Sequence, residues 1–138
     1  MEAGLILETT FLIDLERELG RSGPGPAQEF LLRRAAQPLY ITFTIAGELA
    51  AGTPLDRRPR WETFIAPFEI LPGTPDVCWE YGQAFRYLKT NGLLIGANDL
   101  WIAATAVALQ KPLVTPNVNE FRRVPRLEVM NYREQEGT

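Results

Sequence analysis

The sequence contains no histidine and a single cysteine, Cys78, in 138 residues. The lack of histidine excludes Ser-His-Asp and Cys-His catalysis and the paired-histidine zinc sites of metalloproteases. One cysteine excludes an internal disulfide bond and any metal site built from several cysteines, so a reducing cytoplasm is the expected compartment. If the protein is an enzyme, its chemistry depends on carboxylates, hydroxyls, lysine, arginine or a metal ion held by oxygen.

Lysine and long apolar runs are also scarce. The net charge is −3, and two lysines stand against twelve arginines. No run approaches the ~20 apolar residues that a membrane-spanning helix needs. This balance argues against general electrostatic binding of nucleic acid, whereas the arginine clusters at 33–34, 57–60 and 122–126 suit local contacts with phosphate. A solvated charged surface is the alternative for each cluster.

Short apolar runs alternate with helical patterns along the whole chain. The β-like runs are LIL (5–7), LYITF (39–43), FEIL (68–71), LVT (113–115) and LEVM (127–130). Helical patterns cover 10–19, 27–36, 44–52, 59–66, 75–90 and 98–110, with a flexible Pro- and Gly-rich break at 21–27. This alternation predicts an α/β fold around a mostly parallel sheet. We expect one domain over residues 1–138, with an irregular tail from about residue 132.

Two of the helical patterns carry further information. In TPDVCWEYGQAFRYLKTNG, Thr74 is a natural N-cap, Pro75 fits the first turn, and Asn91-Gly92 ends the helix. Its apolar residues at 77, 78, 81, 84, 85 and 88 predict one buried stripe. The segment NDLWIAATAVALQ (98–110) is apolar on nearly every side, so it should be largely buried.

Polar residues follow the predicted strands where a parallel sheet binds its ligands, beyond the carboxyl ends of the strands. Glu8 directly follows LIL, Glu48 lies one helical turn past LYITF, Asp99 opens the apolar helix, and Asn117 follows LVT by two residues. The neighbouring hydroxyls are Thr9, Thr10 and Thr115. These residues are therefore the candidate site.

Each of these residues also has a structural explanation. Asp99 suits a helix N-terminus, Glu48 fits an exposed helical position, and Asn117 after Pro116 is an ordinary turn residue. Glu8 is harder to explain in this way, because an unpaired carboxylate beside a buried strand is energetically costly.

If the acids meet in one crevice, each pair of like charges at 4 Å repels by about 4 kcal/mol at an effective dielectric constant of ~20. A divalent cation relieves that repulsion, and oxygen ligands without histidine or cysteine suit Mg²⁺ or Mn²⁺ rather than zinc. The reaction that such a site supports best is hydrolysis of a phosphoester.

At this point the sequence resembles the PIN-domain ribonucleases of the VapC toxin type. LILETTFLIDLER is similar to the opening strand, acid and helix of that family, and GELAAG carries its second acid. The segment IGANDLWIAATAVALQKPLVTPNVNEFRRVPRLEV resembles the C-terminal half, with its IGxxDxxIAAxA core and its T-x-(D/N)-x-x-(D/E)-F turn. This last segment is the most specific part of the resemblance.

The resemblance implies a three-layer α/β/α domain with a central, mostly parallel five-stranded sheet, often ordered 3-2-1-4-5. It also implies Mg²⁺- or Mn²⁺-dependent cleavage of RNA, a homodimer, and a cognate antitoxin that occludes the site. Glu8, Glu48, Asp99 and Asn117 match the catalytic positions, and the three acids match the metal ligands. Supporting hydroxyls and candidate phosphate contacts are Thr9, Thr115, Arg122 and Arg123.

Two positions depart from the family pattern. The first acid is usually Asp, and the extra methylene of Glu8 moves the carboxylate by about 1.5 Å, while Mg²⁺ demands near-octahedral geometry. Weaker metal binding, a shifted backbone and a disabled variant all stay open. Asn117 in place of Asp leaves three acids instead of four. The alternatives to a toxin ribonuclease are therefore a PIN-like binding or scaffold module that no longer cleaves, and an RNA-processing nuclease without an antitoxin.

Overall fold

The computed structural model describes residues 4–34 and 36–134, and in these ranges five parallel strands form one sheet. The strands are β1 (Leu5–Leu7), β2 (Leu39–Thr42), β3 (Glu69–Leu71), β4 (Leu113–Val114) and β5 (Val129–Met130). Their order in the sheet is β3-β2-β1-β4-β5. The predicted α/β class, the parallel sheet and the strand order are confirmed.

Helices connect the strands. They are α1 (Thr9–Leu19), α2 (Pro26–Arg33), α3 (Phe43–Ala51), α4 (Arg58–Ile65), α5 (Pro75–Thr90), α6 (Ala97–Leu109) and α7 (Val118–Phe121), with a 3-10 turn at Thr53–Leu55. Crossovers from β1 to β2 and from β2 to β3 move one way along the sheet, and the crossover from β3 to β4 moves the other way. Because parallel crossovers are right-handed, the two directions cover opposite faces, which gives the three layers.

Most element boundaries lie within a residue or two of the prediction, and α2 differs most. It begins at Pro26, inside the predicted break, because proline is well suited to a first helical turn. It ends at Arg33, short of the predicted residue 36. Residues 132–134 continue as a turn, and the rest of the predicted tail, 135–138, lies outside the described residues, as does residue 35.

The strand LYITF is one residue shorter than predicted because its last threonine caps the next helix. The Ile45 amide donates a 3.1 Å hydrogen bond to Thr42 Oγ1, and α3 begins at Phe43. Thr74 caps α5 as predicted, accepting a hydrogen bond from the Val77 amide at 3.3 Å. Threonine at the end of an extended segment therefore sets two of the helix starts.

Strands β1 and β4 and helix α6 form the most buried part of the described chain. All residues of β1 and β4 are buried, and α6 is buried from Ile102 to Val107, as its apolar sequence predicts. The buried stripe of α5 is narrower than predicted, since Cys78 and Phe85 are exposed. The buried stripe of α5 is formed by Val77, Ala84 and Leu88. Because successive residues are rotated by about 100° around a helix, Cys78 and Phe85 lie beside that stripe. No helix in the described ranges has the length and apolarity to cross a bilayer.

Candidate active site

The site lies where the sheet changes its direction of winding. β1 and β4 are neighbours, pairing Leu7 with Val114, yet the chain leaves β1 toward one edge of the sheet and leaves β4 toward the other. Such a switch point opens a crevice beyond the carboxyl ends of the two strands. Glu8 follows β1 and Thr115 follows β4, so the two residues face each other across this crevice.

Glu8 links both strands to the first helix. It is 3% exposed, and its Oε1 accepts a 2.5 Å hydrogen bond from the Thr115 hydroxyl. Its Oε2 accepts the Thr10 amide at 3.1 Å, which makes Glu8 the N-cap of α1. Burial raises the pKa of the Glu8 carboxyl, and the charges of Asp99 and Glu48 raise it further, against the lowering effect of the two hydrogen bonds.

Glu48 reaches the same crevice from the middle of α3. Its Oε1 accepts a 2.5 Å hydrogen bond from the Thr9 hydroxyl, and its Oε2 accepts Asn98 Nδ2 at 3.3 Å. Thr9 adjoins Glu8 and Asn98 adjoins Asp99, so each polar neighbour brings Glu48 beside another of the acids. The half-buried position shows that Glu48 is not simply an exposed helical acid.

Asp99 lies in the first turn of α6 and is half-buried. A helix N-terminus favours a charged carboxylate, but the pKa of Asp99 is nevertheless raised. Burial is the largest cause, followed by the charges of Glu48 and Glu120. A position at a helix N-terminus therefore explains only part of the surroundings of Asp99, because burial and the neighbouring acids act on its carboxyl as well.

Asn117 is exposed and takes part in a turn, as its sequence context suggests. Its main-chain N–H donates to the Thr115 hydroxyl at 3.1 Å, and its side-chain Nδ2 donates to the Thr10 hydroxyl at 3.2 Å. Thr115 thus accepts from Asn117 while donating to Glu8, which fixes the orientation of its hydroxyl. The turn at the end of β4 and the start of α1 are joined through these side chains.

The acids suit a divalent cation by the chemistry of their oxygens, whereas their spacing in the described ranges does not form a binding site for one ion. Glu8, Glu48 and Asp99 offer oxygen ligands, and the raised pKa values of Glu8 and Asp99 reflect negative charge that burial leaves uncompensated. As placed in residues 4–34 and 36–134, no three acidic or sulfur-bearing side chains are arranged to hold one ion between them. The oxygens of Glu8 and Glu48 are instead bound by hydroxyl, amide and main-chain donors.

Arg123, one of the two arginines predicted to contact phosphate, is already engaged. Its Nη1 donates to the carbonyl oxygens of Leu93 at 3.5 Å and Leu94 at 3.3 Å, so its side chain braces the loop between α5 and α6. Arg122 is exposed at the end of α7. The predicted contact with phosphate stays a prediction for both residues.

Sequence reasoning missed two polar neighbours of the acids. Glu120 occupies the (D/E) position of the quoted motif, so a sequence signal for it exists. Asn98 binds Glu48 from a position with no distinguishing sequence signal. The Thr10 hydroxyl, which belongs to the predicted candidate site, accepts a hydrogen bond from Asn117 Nδ2.

Two cavities border helix α1, and the smaller one reaches Glu48. A groove between α1, α2 and α4, with a volume of about 850 Å³, is lined mainly by leucine and phenylalanine side chains; we call it the apolar groove. A smaller cavity of about 160 Å³ lies between α1 and α3 and includes Glu48 in its lining; we call it the Glu48 cavity. Glu16 and Leu55 line both, so the two cavities meet at these residues.

The parallel sheet and the crevice beyond its strand ends define an α/β domain with the switch point at which such sheets bind ligands, and comparison with known proteins identifies its family. Residues 5–127 match the family model described as the PIN domain. Ribonuclease VapC2 of Rickettsia felis is 38% identical over 99 residues, covering 68% of this chain and 74% of that protein. Ribonuclease VapC of Rickettsia bellii is 30% identical over 135 residues, covering 92% of this chain and 95% of that protein.

Solved structures show the same relationship. VapBC2 from Rickettsia felis, bound to a DNA fragment from its promoter, gives a TM-score of 0.79 at 26% identity, covering 92% of this chain and 97% of that one. VapBC-1 from nontypeable Haemophilus influenzae gives 0.78 at 27% identity, covering 94% and 98%. The chain belongs to the PIN-domain family, and these relatives within the family are VapC proteins.

Proposed function

We propose that this chain is an endoribonuclease that hydrolyses RNA phosphodiester bonds and acts as the toxin of a toxin–antitoxin pair. The observation that supports the proposal is electrostatic: Asp99 and Glu48 raise the pKa of Glu8, and Glu48 raises the pKa of Asp99, in a PIN domain. The relatives named as VapC ribonucleases and the VapBC complexes support the reaction class and the pairing.

A divalent cation, Mg²⁺ or Mn²⁺, belongs to this proposal, and Asp99, Glu8 and Glu48 would hold it, with Asn117 beside them. When bound, such an ion makes water more acidic and offsets charge on the phosphate. The chain itself positions the carboxylates: the Thr115 hydroxyl orients Glu8, and the Thr9 hydroxyl orients Glu48. In the proposed hydrolysis, the water oxygen bonds to phosphorus in line with the leaving oxygen, the P–O bond to that oxygen breaks, and the proton lost by the water balances the proton that the leaving oxygen takes up, so no covalent enzyme intermediate forms.

The direct test is Asp99→Asn, which preserves shape and removes one carboxylate. We expect cleavage of RNA in Mg²⁺ or Mn²⁺ to fall by at least about 100-fold, since removal of one group that stabilises transition-state charge has effects of this size. Asp76→Asn is the matched control, because Asp76 also lies in the first turn of a helix but is exposed on α5. Undiminished cleavage by Asp99→Asn would rule out the proposed site.

The main rival is a PIN-like binding module that does not cleave. It is favoured by Glu8, both of whose carboxylate oxygens already accept hydrogen bonds, and by the longer side chain at this position. Titration calorimetry with Mg²⁺ and Mn²⁺ separates the two functions. Binding that is lost in Asp99→Asn supports the nuclease, and no binding at millimolar metal supports the module. Glu8→Asp tests side-chain length: tighter metal binding is expected if the extra methylene weakens the site.

We propose that the inhibitory partner, the antitoxin, occupies the apolar groove and extends toward Glu48. The groove offers an apolar surface open to solvent, with Leu32 72% and Leu19 61% exposed beside it, and a patch of this kind typically marks a protein interaction site. Co-expression with a small adjacent open reading frame tests the pairing. Formation of a stable complex that suppresses cleavage is expected, whereas full activity in its presence supports an RNA-processing nuclease without an antitoxin.

A homodimer is the remaining part of the proposal. Tyr81 stacks between Trp101 and Phe85 on the α5–α6 surface, with ring centroids 3.9 Å and 6.4 Å away, and Phe85 is exposed. Exposed aromatic surface of this kind supports contact between two copies. In sedimentation experiments Phe85→Glu should give a monomer, and Tyr87→Glu, an exposed aromatic on the other side of α5, should remain a dimer.

A further inference from the structure

One ion pair crosses the apolar groove. Among the described residues that line it, the charged ones are Glu16 on α1 and Arg60 on α4, and Arg60 Nη2 lies 3.4 Å from Glu16 Oε2. The remaining lining is largely leucine and phenylalanine. Any segment that fills the groove must therefore either leave this bridge in place or replace one of its partners.

The two partners differ in how firmly they are held. The Arg60 side chain is 63% exposed, whereas that of Glu16 is 22% exposed. Arginine can leave the pair and remain hydrated, because its head group already lies mostly in water. The Glu16 carboxylate stays in the side of the groove and would lose its counter-charge when an apolar segment covers it, which is costly. The bridge therefore opens on the Arg60 side and leaves an acid that needs a cation.

Glu16 also lies on the route to the acids. It lines both the apolar groove and the Glu48 cavity, and Glu48 is connected through Thr9 to Glu8. A segment that leaves the groove in this direction passes Glu16 first and then reaches Glu48. Its charge pattern is set by this order, since an acid follows the apolar surface and further acids follow that one.

We propose that Glu16 binds a basic side chain of the segment that occupies the apolar groove, and that this side chain displaces Arg60. The fitting occupant is an apolar stretch followed by one basic residue, which lies at Glu16. An arginine suits this role because its guanidinium pairs with a carboxylate through two hydrogen bonds. The proposal rests on the proposed function in one respect, that the segment belongs to the inhibitory partner.

Two synthetic peptides test this assignment by fluorescence polarisation. They share one leucine-rich amphipathic sequence and end either in one arginine or in one citrulline, which keeps the shape but carries no charge. We expect the arginine peptide to bind the wild-type chain about tenfold more tightly, the usual effect of one charge-assisted contact. Glu16→Gln should remove most of that difference and leave the citrulline peptide unaffected.

Arg60→Gln gives the sharper result, because the displacement predicts an effect of opposite sign. Removal of the competing guanidinium should tighten binding of the arginine peptide, by about threefold. The matched control is Glu62→Gln, which breaks the Arg58–Glu62 pair on the outer surface of α4, where both side chains are more than half exposed. This variant should bind both peptides as the wild-type chain does.

Several results would overturn the assignment. They are equal binding of the two peptides, no binding of either, weaker binding of the arginine peptide by Arg60→Gln, or a self-associated dimer that the peptide disrupts, which would make a second copy the occupant. Circular dichroism of each variant establishes that it is folded. Because the assay measures binding alone, a chain that shows the expected pattern but cleaves no RNA counts against the nuclease and leaves the Glu16 assignment standing.

Discussion

Glu8 and Glu18 stand at the two ends of α1, and both are 3% exposed, yet their surroundings differ. Glu18 accepts the amides of Ala27 and Gln28, each at 2.9 Å, so its carboxylate lies at the N-terminus of α2 with both oxygens satisfied by main-chain donors. Glu8 accepts one amide and one hydroxyl, and its other neighbours include Asp99 and Glu48, whose charges oppose its own.

The comparison teaches that burial alone does not indicate what a carboxylate does. At Glu18 the helix N-terminus compensates the charge, and the result is a structural link between α1 and α2. The chain is fitted to this link, because a Cβ at Gly25 would lie 2.4 Å from Glu18 Cδ and would push the Glu18 side chain away from its present position. At Glu8 the compensation is incomplete, because burial and the charges of Asp99 and Glu48 raise the pKa of its carboxyl despite the two hydrogen bonds.

The largest expected effect separates the two residues by activity. Glu8→Gln should reduce RNA cleavage by about a thousandfold, the upper range for loss of one group that stabilises a transition state. Glu18→Gln should leave cleavage nearly unchanged, because Glu18 lies against α2 rather than in the crevice. Initial rates on a labelled RNA measure both variants. Equal losses would show that the distinction between the two glutamates is wrong.

The second effect is on stability, and here the larger loss is expected at Glu18. Glu18→Ala should lower the free energy of unfolding by about 2–3 kcal/mol, since the buried Ala27 amide and the half-buried Gln28 amide lose their acceptor. The control is Glu29→Ala, an exposed acid in the first turn of α2, for which a change within about 0.5 kcal/mol is expected. Urea denaturation measures both, and a loss of similar size in the control would contradict a specific role for Glu18.

Thr115→Val sharpens the comparison by removing one of the donors of Glu8. We expect the free energy of unfolding to fall by about 1–2 kcal/mol, because Glu8 Oε1 then loses the hydroxyl that donates to it. Thr105→Val is the matched control, a threonine that is also fully buried but donates to the Trp101 carbonyl oxygen in its own helix. If the two variants unfold at the same urea concentration, the Thr115 hydroxyl contributes nothing particular to Glu8.

The smallest effect is a dependence of stability on pH. The folded-state pKa values of Glu8 and Asp99 are raised, so the folded chain binds more protons than the unfolded chain above the ordinary carboxyl pKa of about 4. Their favourable contribution is complete below that unfolded value and is lost as the pH rises through the raised values. Asp14 opposes this trend: burial raises its pKa, but bonds from Tyr132 and Arg133 lower it overall, so its contribution is lost as the pH falls.

Asp99→Asn isolates the part of this dependence that belongs to the site. Urea denaturation at a series of pH values above about 4 should show a smaller decrease of stability with rising pH in the variant than in the wild-type chain. The Asp76→Asn control should keep the wild-type slope. A steeper decrease in Asp99→Asn would mean that the Asp99 charge is stabilised by the fold, contrary to its raised pKa.

Much of the fold was predictable because its signals are local. Short apolar runs, Thr74 as a cap, and the apolar sequence of α6 each depend on neighbours along the chain, and all three predictions are confirmed. The exposed side of α5 was not predictable in this way. Cys78 and Phe85 differ from the buried stripe by a small rotation around the helix, and only the packing of α5 on α6 decides how wide that stripe is.

The candidate site was predictable as a set of residues but not as a set of contacts. Strand ends predicted that Glu8, Glu48 and Asn117 lie together, since parallel strands bring their carboxyl ends to one edge. The pairing of Glu48 with Thr9 and Asn98, the electrostatic effect of Glu120, and the Glu16–Arg60 bridge join residues far apart in sequence. No pattern in the chain specifies such partners.

By itself the sequence determined the α/β class and which side chains follow each strand, because hydrophobic periodicity and chain connectivity are properties of the chain alone, whereas the strand order was implied by the resemblance to the PIN-domain family. Tertiary structure decided the rest: that Glu8 is bound from both sides while its charge stays opposed, that Glu18 is satisfied by α2, and that the groove reaches Glu48. These outcomes depend on distances between atoms, and electrostatic and hydrogen-bond energies change steeply over a few ångströms.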